Sequence, residues 1–245
     1  MTARPEGHPR DEALAEWTEH LEELRRRIVA VLAVWCAATL AAFAVSDRLV
    51  RFLTSPVANL EVQLYTFGPA EKFLAHLNLS MLAGLAFSLP FCILQAGLFV
   101  WPALIGREKR YAAVALTVVP LLFLAGCAAA YTAFAPFVMR FFLSFAQGDG
   151  VEQLWGFRQY LSLLSGLMLA MGLLLQMPFA LLALFALGLL SPRRVAPLRP
   201  YIVLLIFLAA AFCTPPDVAS QLALGIPLYL LFELTLLIGR FIGPK

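Results

Sequence analysis

The chain has 245 residues, of which 62% are hydrophobic and 13% charged, against roughly 45–50% and about 25% in soluble domains. That apolar content excludes a soluble fold, and a formal net charge of +3 spread over scattered basic residues excludes a nucleic-acid-binding surface. At about 20 residues per crossing, the length holds about six membrane spans with their connections.

Met1–Arg27 carries seven acids and five basic residues, with no apolar core and no cleavage pattern. It is therefore expected to be an amphipathic N-terminal segment and not a signal peptide; Leu21, Leu24 and Ile28 share one helical face. Ile28–Val45 runs 18 residues without a charge and predicts span one, about 28–45. Ser46–Pro69, with Asp47, Arg48, Arg51, Pro56, Asn59 and Glu61, reads as a polar loop. Span two is expected over about 70–100, interrupted by His76, Asn78, Pro90 and Gln95. A short basic hinge follows, and then span three, about 111–137, which Pro120 can kink.

A second loop runs to Gly156, and its aromatic first part, Phe137–Ala146, either lies in the interface or packs on the bundle. Span four, about 160–190, carries Gln176 and Pro178 near its middle. After the basic turn Ser191–Pro200, the runs 201–213 and 222–238 are short. The 13 residues of the first cover roughly 20 Å of a hydrocarbon core about 30 Å thick. They form either two short spans or a re-entrant hairpin, and both readings return the chain to the same side.

Lysine and arginine orient the chain, because acids contribute little to the positive-inside bias. With the N-terminus in the cytoplasm, Arg4, Arg10, Arg25–Arg27, Arg107, Lys109, Arg110, Arg193, Arg194, Arg199, Arg240 and Lys245 lie inside, thirteen of the eighteen basic residues. Arg48, Arg51, Lys72, Arg140 and Arg158 lie outside. The bias holds at each inside segment separately, which predicts one all-α membrane domain over 1–245 with six spans and both termini cytoplasmic.

Cys36, Cys92, Cys127 and Cys213 lie in or at the ends of apolar runs without disulfide or zinc-site spacing. No Walker loop, GxGxxG, HExxH, GxSxG or CxxC occurs. With no nucleophile, base or metal constellation either, no enzyme activity, cofactor or metal is expected. The informative residues are acids, since ionisable groups near or within the membrane are costly. Glu22 and Glu23 stand four residues before Arg26 and Arg27 and read either as helix ion pairs or as a recognition site. Glu108, among Arg107, Lys109 and Arg110, reads either as part of a solvated salt-bridge network or as a second such site. Asp217 either solvates its turn or serves a site, and Glu233, inside an apolar run, either snorkels to the interface or is functional.

These residues resemble, in order and over nearly the whole chain, the TatC family of the twin-arginine protein translocase. His20-Leu21, Glu23-Leu24-Arg25 and Arg27 look like its N-terminal signature. Ser88-Leu89-Pro90-Phe91, Gln95, Phe99, Pro102-Ala103-Leu104, Glu108 and Arg110 look like its second span and first cytoplasmic loop. Phe157–Tyr160, Gln176 with Pro178, Arg199-Pro200-Tyr201, Thr214–Asp217 with Ser220-Gln221, and Pro227 with Tyr229, Phe232 and Glu233 continue the match.

The resemblance implies a cupped bundle in the cytoplasmic membrane of a prokaryote. It also implies a receptor for twin-arginine signal peptides of folded precursors, driven by proton-motive force. Glu23 and Glu108 would recognise the arginine pair, with Arg25, Phe99 and Arg110 beside them. Single-span TatA and TatB type subunits, other copies of the chain and membrane lipid are the implied partners, with Gln176, Thr214, Asp217, Gln221 and Glu233 as docking or intramembrane polar positions and Pro56 as a structural loop position. Where the family has glutamate or glutamine, this chain has Gln176, a neutral amide that cannot titrate. A small-solute secondary transporter using Glu233, Asp217 and Gln176 is the competing reading; it expects polar groups converging at mid-membrane.

Overall fold

The computed structural model describes residues 9–58, 63–100, 106–145, 154–213 and 217–242. Its elements are α1 (Pro9–Ala44), α2 (Ser46–Ala58), β1 (Leu64–Tyr65), α3 (Glu71–Val100), α4 (Arg107–Ala129), a π turn (Ala130–Phe134), α5 (Ala135–Phe145), β2 (Trp155–Gly156), α6 (Phe157–Leu174), α7 (Gln176–Ala186), α8 (Pro192–Val195), α9 (Arg199–Cys213) and α10 (Val218–Ile242). A 3₁₀ turn, Ala196–Leu198, joins α8 to α9. Six helical stretches are long and apolar enough to cross a membrane: 20–44, 71–99, 113–144, 157–186, 192–212 and 218–241. Their outer faces carry side chains such as Leu40, Phe87, Phe212 and Phe241 at 71–85% exposure, which suits hydrocarbon as solvent and would be prohibitive in water.

Helices α1 and α3 pack antiparallel along their length. Phe43 meets Phe73 edge-on at 6.1 Å, Trp35 Nε1 donates to the Met81 carbonyl at 3.2 Å, and Arg27 reaches Gln95 at 2.9 Å. The contact is close because Gly84 has no side chain: a Cβ there would sit 2.7 Å from the Thr39 Cα. Small residues that let backbones approach are a principal source of helix association in lipid, where the hydrophobic effect between helices is lost. Gly126 of α4 and Gly172 of α6 repeat the device; a Cβ on Gly126 would lie 2.7 Å from the Gly172 Cα. Phe123, 1% exposed, fills the space beside them.

The segment expected as a loop at 46–69 is largely helical. Leu49, Phe52 and Leu53 recur at i, i+3 and i+4, enough to form an apolar stripe, while Asp47 and Arg51 on the other side, with Arg48 at the stripe's edge beside Phe52, hide it from a hydropathy reading. Pro56 accordingly lies inside α2 and not in a loop. Lacking an N–H, it cannot bond the carbonyl four residues earlier, and that carbonyl, Phe52 O, is taken by the Tyr131 hydroxyl at 2.8 Å and the Ser55 hydroxyl at 2.9 Å. The next carbonyl, Leu53 O, accepts from the buried Tyr160 hydroxyl at 2.5 Å. β1 and β2 pair in parallel, Leu64 with Trp155 and Tyr65 with Gly156, so the two loops at this end of the bundle are joined.

The third span does not end near 137. It continues through the π turn, which carries Tyr131, into α5, where Val138 and Met139 are 2% exposed; of the two readings for this aromatic stretch, packing on the bundle is the one observed. The fourth span breaks at Leu175, just before Gln176 and Pro178, and ends at a turn where Gly188 takes φ 73°. The last two crossings are the shortest, 21 and 24 residues, yet longer than their uninterrupted apolar cores because α8 and the first turn of α10 extend them. At about 1.5 Å per residue each helical stretch is roughly 30 Å or more long, but the uncharged part of the fifth, from Tyr201, still covers only about 20 Å.

Two outcomes are expected. Gly126→Leu should wedge α4 from α6 and destabilise by about 1–3 kcal/mol, read as a lowered thermal midpoint in detergent. Tyr160→Phe should leave the Leu53 carbonyl without its buried donor and cost about 1–3 kcal/mol, measured the same way.

Candidate functional site

The antiparallel pairing of α1 with α3 brings His20–Arg27 beside Gln95–Phe99. Glu23 and Arg27 lie one turn apart, and both Arg27 Nε (3.0 Å) and Nη2 (2.5 Å) donate to the same carboxylate oxygen, Glu23 Oε1. Arg27 Nη1 donates to Gln95 Oε1 at 2.9 Å, so the guanidinium is held from two helices. Glu23 Oε2 receives no hydrogen bond from the described residues, and the Glu23 side chain remains 28% exposed. Phe99 stacks on His20 with centroids 4.4 Å apart and planes at 23°. Arg25 is exposed, and with Glu22, Glu23, Arg26 and Val29 it lines an open crevice of about 520 Å³.

Six residues separate α3 from α4, and the last of them, Gly106, adopts φ 52°, a conformation glycine reaches without steric cost. Glu108 and Arg110 therefore fall in the first turn of α4, where the helix dipole favours an acid. Their side chains lie outside the described part of the structure.

At the same end of the bundle, where α9 starts, a second charged pair links it to α10. Arg199 Nε donates to Glu233 Oε1 at 2.6 Å and Nη2 to Oε2 at 3.1 Å, the two-pronged geometry that guanidinium and carboxylate favour. The Tyr229 hydroxyl donates to the same Oε1 at 3.0 Å. Glu233 is thus neither snorkelling alone nor aimed at a mid-membrane pathway. Nothing in the spacing announced the pair, since its members stand 34 residues apart; the only hint was an acid inside an apolar run facing a span that begins with arginine.

The remaining expected positions do not converge. Asp217 caps α10, its Oδ1 accepting from the Ser220 N–H at 2.7 Å and its Oδ2 from the Ser220 hydroxyl, the usual service of an N-cap aspartate. Gln221 Nε2 donates to the Phe207 carbonyl at 2.9 Å and ties α10 to α9. Gln176 Nε2 donates across the break at Leu175 to the Gly172 carbonyl of α6 at 2.9 Å, while its Oε1 is buried with no partner among the described residues. Thr214 lies outside the described residues. His76, near the start of α3, is bonded to Ser46 at the start of α2 at 3.0 Å and so lies towards one end of the bundle; a convergent mid-membrane polar site of the kind a solute transporter requires is not seen among the described residues.

Six apolar helical crossings with charge concentrated at their ends define a polytopic α-helical membrane protein. A family model described as "Sec-independent protein translocase protein (TatC)" matches residues 19–227, and the chain belongs to that family. It is 32% identical over 239 residues to the TatC protein of Desulforapulum autotrophicum, covering 96% of this chain and 88% of that one. It is 37% identical over 228 residues to the chloroplastic TATC protein of Arabidopsis thaliana, covering 90% and 66%. A crystal structure described as twin arginine translocase receptor TatC superposes with a TM-score of 0.82 at 28% identity, covering 91% of this chain and 99% of that one. A second, of the receptor in the detergent DDM, gives 0.80 at 29%, covering 90% and 99%. The chain is therefore a multi-pass membrane protein of the Sec-independent translocase, and a solute-transporter role does not fit that membership.

The Arg199–Glu233 pair makes a direct prediction. Arg199→Lys keeps the charge but not the fork, so in double-mutant cycles with Glu233→Gln, measured by thermal unfolding, lysine at 199 should show much less coupling to Glu233 than arginine does.

Proposed function

We propose that the chain is the receptor for twin-arginine signal peptides and the core subunit of a translocase for folded precursor proteins, energised by the proton-motive force. The observation that supports it most is Glu23: a partly exposed carboxylate that holds one guanidinium through a single oxygen, its other oxygen having no partner among the described residues. An incoming arginine can bond Oε2, or displace Arg27 altogether. Glu108 supplies the second carboxylate in this reading, with Arg25 and Arg110 setting the charge around the pair and Phe99, on its His20 platform, meeting the apolar part of the signal.

The direction of the chain belongs to the same proposal. The positive-inside count puts both termini, Glu23 and Glu108 on the cytoplasmic face of a prokaryotic inner membrane, where precursors are made. Single-span TatA and TatB type subunits and further copies of the chain would complete the transport path, with Gln176 Oε1, an acceptor with no donor among the described residues, and the α9–α10 pair that carries Thr214 and Gln221 as docking positions. The protein would act by binding and assembly, without catalysis.

Charge reversal tests the receptor. Glu23→Arg and Glu108→Arg should each cut photocrosslinking to an Arg-Arg signal peptide by about tenfold or more, since each puts a like charge where the signal's guanidinium would sit. Crosslinking at wild-type strength in both variants would show the assignment to be wrong. A Lys-Lys signal should bind the unaltered protein more weakly, because ammonium does not reproduce the two-pronged contact.

A further inference from the structure

A groove of about 200 Å³ opens between α2, α3, α4 and α6. Its floor is Leu53, Leu79 and Phe123, none more than 4% exposed, and its mouth is Phe52, Phe87 and Leu124, each 54–71% exposed. Two polar groups reach the wall, and both are satisfied internally: the Ser165 hydroxyl by the Leu161 carbonyl at 2.6 Å and the Cys127 thiol by the Met168 carbonyl at 3.3 Å. A water in the groove would find no free partner, so the occupant is apolar.

Size narrows it further. From Leu79 to Phe87 the α3 wall is eight residues long, about 12 Å along the axis, which fits within one leaflet of a hydrocarbon core about 30 Å thick. The groove's lining is mostly bulky Leu, Phe and Met, with no free polar group. Small residues and polar contacts are what seat one helix against another in lipid, so this wall suits an acyl chain better than a partner helix.

The end of the groove at α2 carries charge. Leu49, Phe52 and Leu53 of α2 line it, Arg48 lies one turn from Phe52 on the same edge, and Arg51 lies one turn from Arg48. Both arginines are exposed, and neither has an ion pair with the described residues, although Asp47 stands beside them. Guanidinium groups at the interface, above an apolar slot one leaflet deep, match a lipid phosphate above its acyl chain.

We propose that this groove is a binding site for one phospholipid of the leaflet at the α2 end, with an acyl chain lying between α3, α4 and α6 and the phosphate held by Arg48 and Arg51. The site is independent of the receptor reading. By wedging between α2 and the spans, the lipid would complete a wall that the polypeptide leaves open.

The test places a photoreactive p-benzoylphenylalanine at Phe87 in the full-length protein, extracts it from native membranes, washes it free of loosely held lipid and then irradiates it. Mass spectrometry should find an adduct of phospholipid mass at position 87 and none in a control with the probe at Phe212, which is 85% exposed on α9 outside the groove. Arg48→Gln with Arg51→Gln, a surface change that should not disturb folding, should lower the adduct roughly tenfold. A polypeptide adduct at 87, no lipid adduct, or equal lipid adducts at both positions would overturn the site. A lipid adduct undiminished by loss of both arginines would overturn the assignment of its phosphate.

Discussion

In hydrocarbon there is no water to satisfy a stray backbone group, and each one left open costs several kcal/mol. This constraint organises the molecule. It makes every crossing helical, and it dictates what happens where a helix is interrupted. Pro56 deprives the Phe52 carbonyl of its partner, so hydroxyls from Tyr131 and Ser55 are brought to it. The neighbouring Leu53 carbonyl, facing the interior, accepts from the buried Tyr160 hydroxyl as well. Asp217 performs the same service for the first amides of α10. The side chains that appear to decorate the α2 end of the bundle are in this sense part of its backbone hydrogen bonding.

Six crossings were legible because each presents a long apolar run, and length and hydropathy are sums over many residues that no single neighbour can overturn. The α2 helix was not, because its three apolar positions alternate with Asp47, Arg48 and Arg51, and a window average reads such a mixture as loop. The break at Leu175 and the continuation of span three into α5 were missed for a related reason: both depend on where a helix packs, and the π turn that carries Tyr131 has no sequence signature of its own. The extension of α9 backwards through Arg193 and Arg194 went unseen because basic residues mark a membrane edge whether or not the helix stops there.

The candidate site divides along the same line. Glu23 and Arg27 are four residues apart, so their ion pair is a local consequence of helicity and could be anticipated. Gln95 as the second holder of Arg27, and Phe99 as the partner of His20, depend on the register of α1 against α3. That register is set by a glycine, Gly84, meeting Thr39. Order along the chain was enough to show the family, since its motif blocks recur in sequence. Contacts between blocks were not, and Arg199 with Glu233 is the clearest case: two residues noted separately that turn out to share one pair of hydrogen bonds.

The joining of the two loops at the α2 end has a bearing on how the protein is made. Leu53 and Tyr160 are 107 residues apart, and at roughly 5–20 residues per second the ribosome needs on the order of 5 to 20 seconds to deliver the second after the first. For most of that interval Tyr131 is also still to come, and the proline-freed carbonyl must be served by water at the interface. The first two spans therefore wait in the membrane with their connection unfastened, and the end of the molecule that looks most firmly laced is the last part of its first four spans to be fastened.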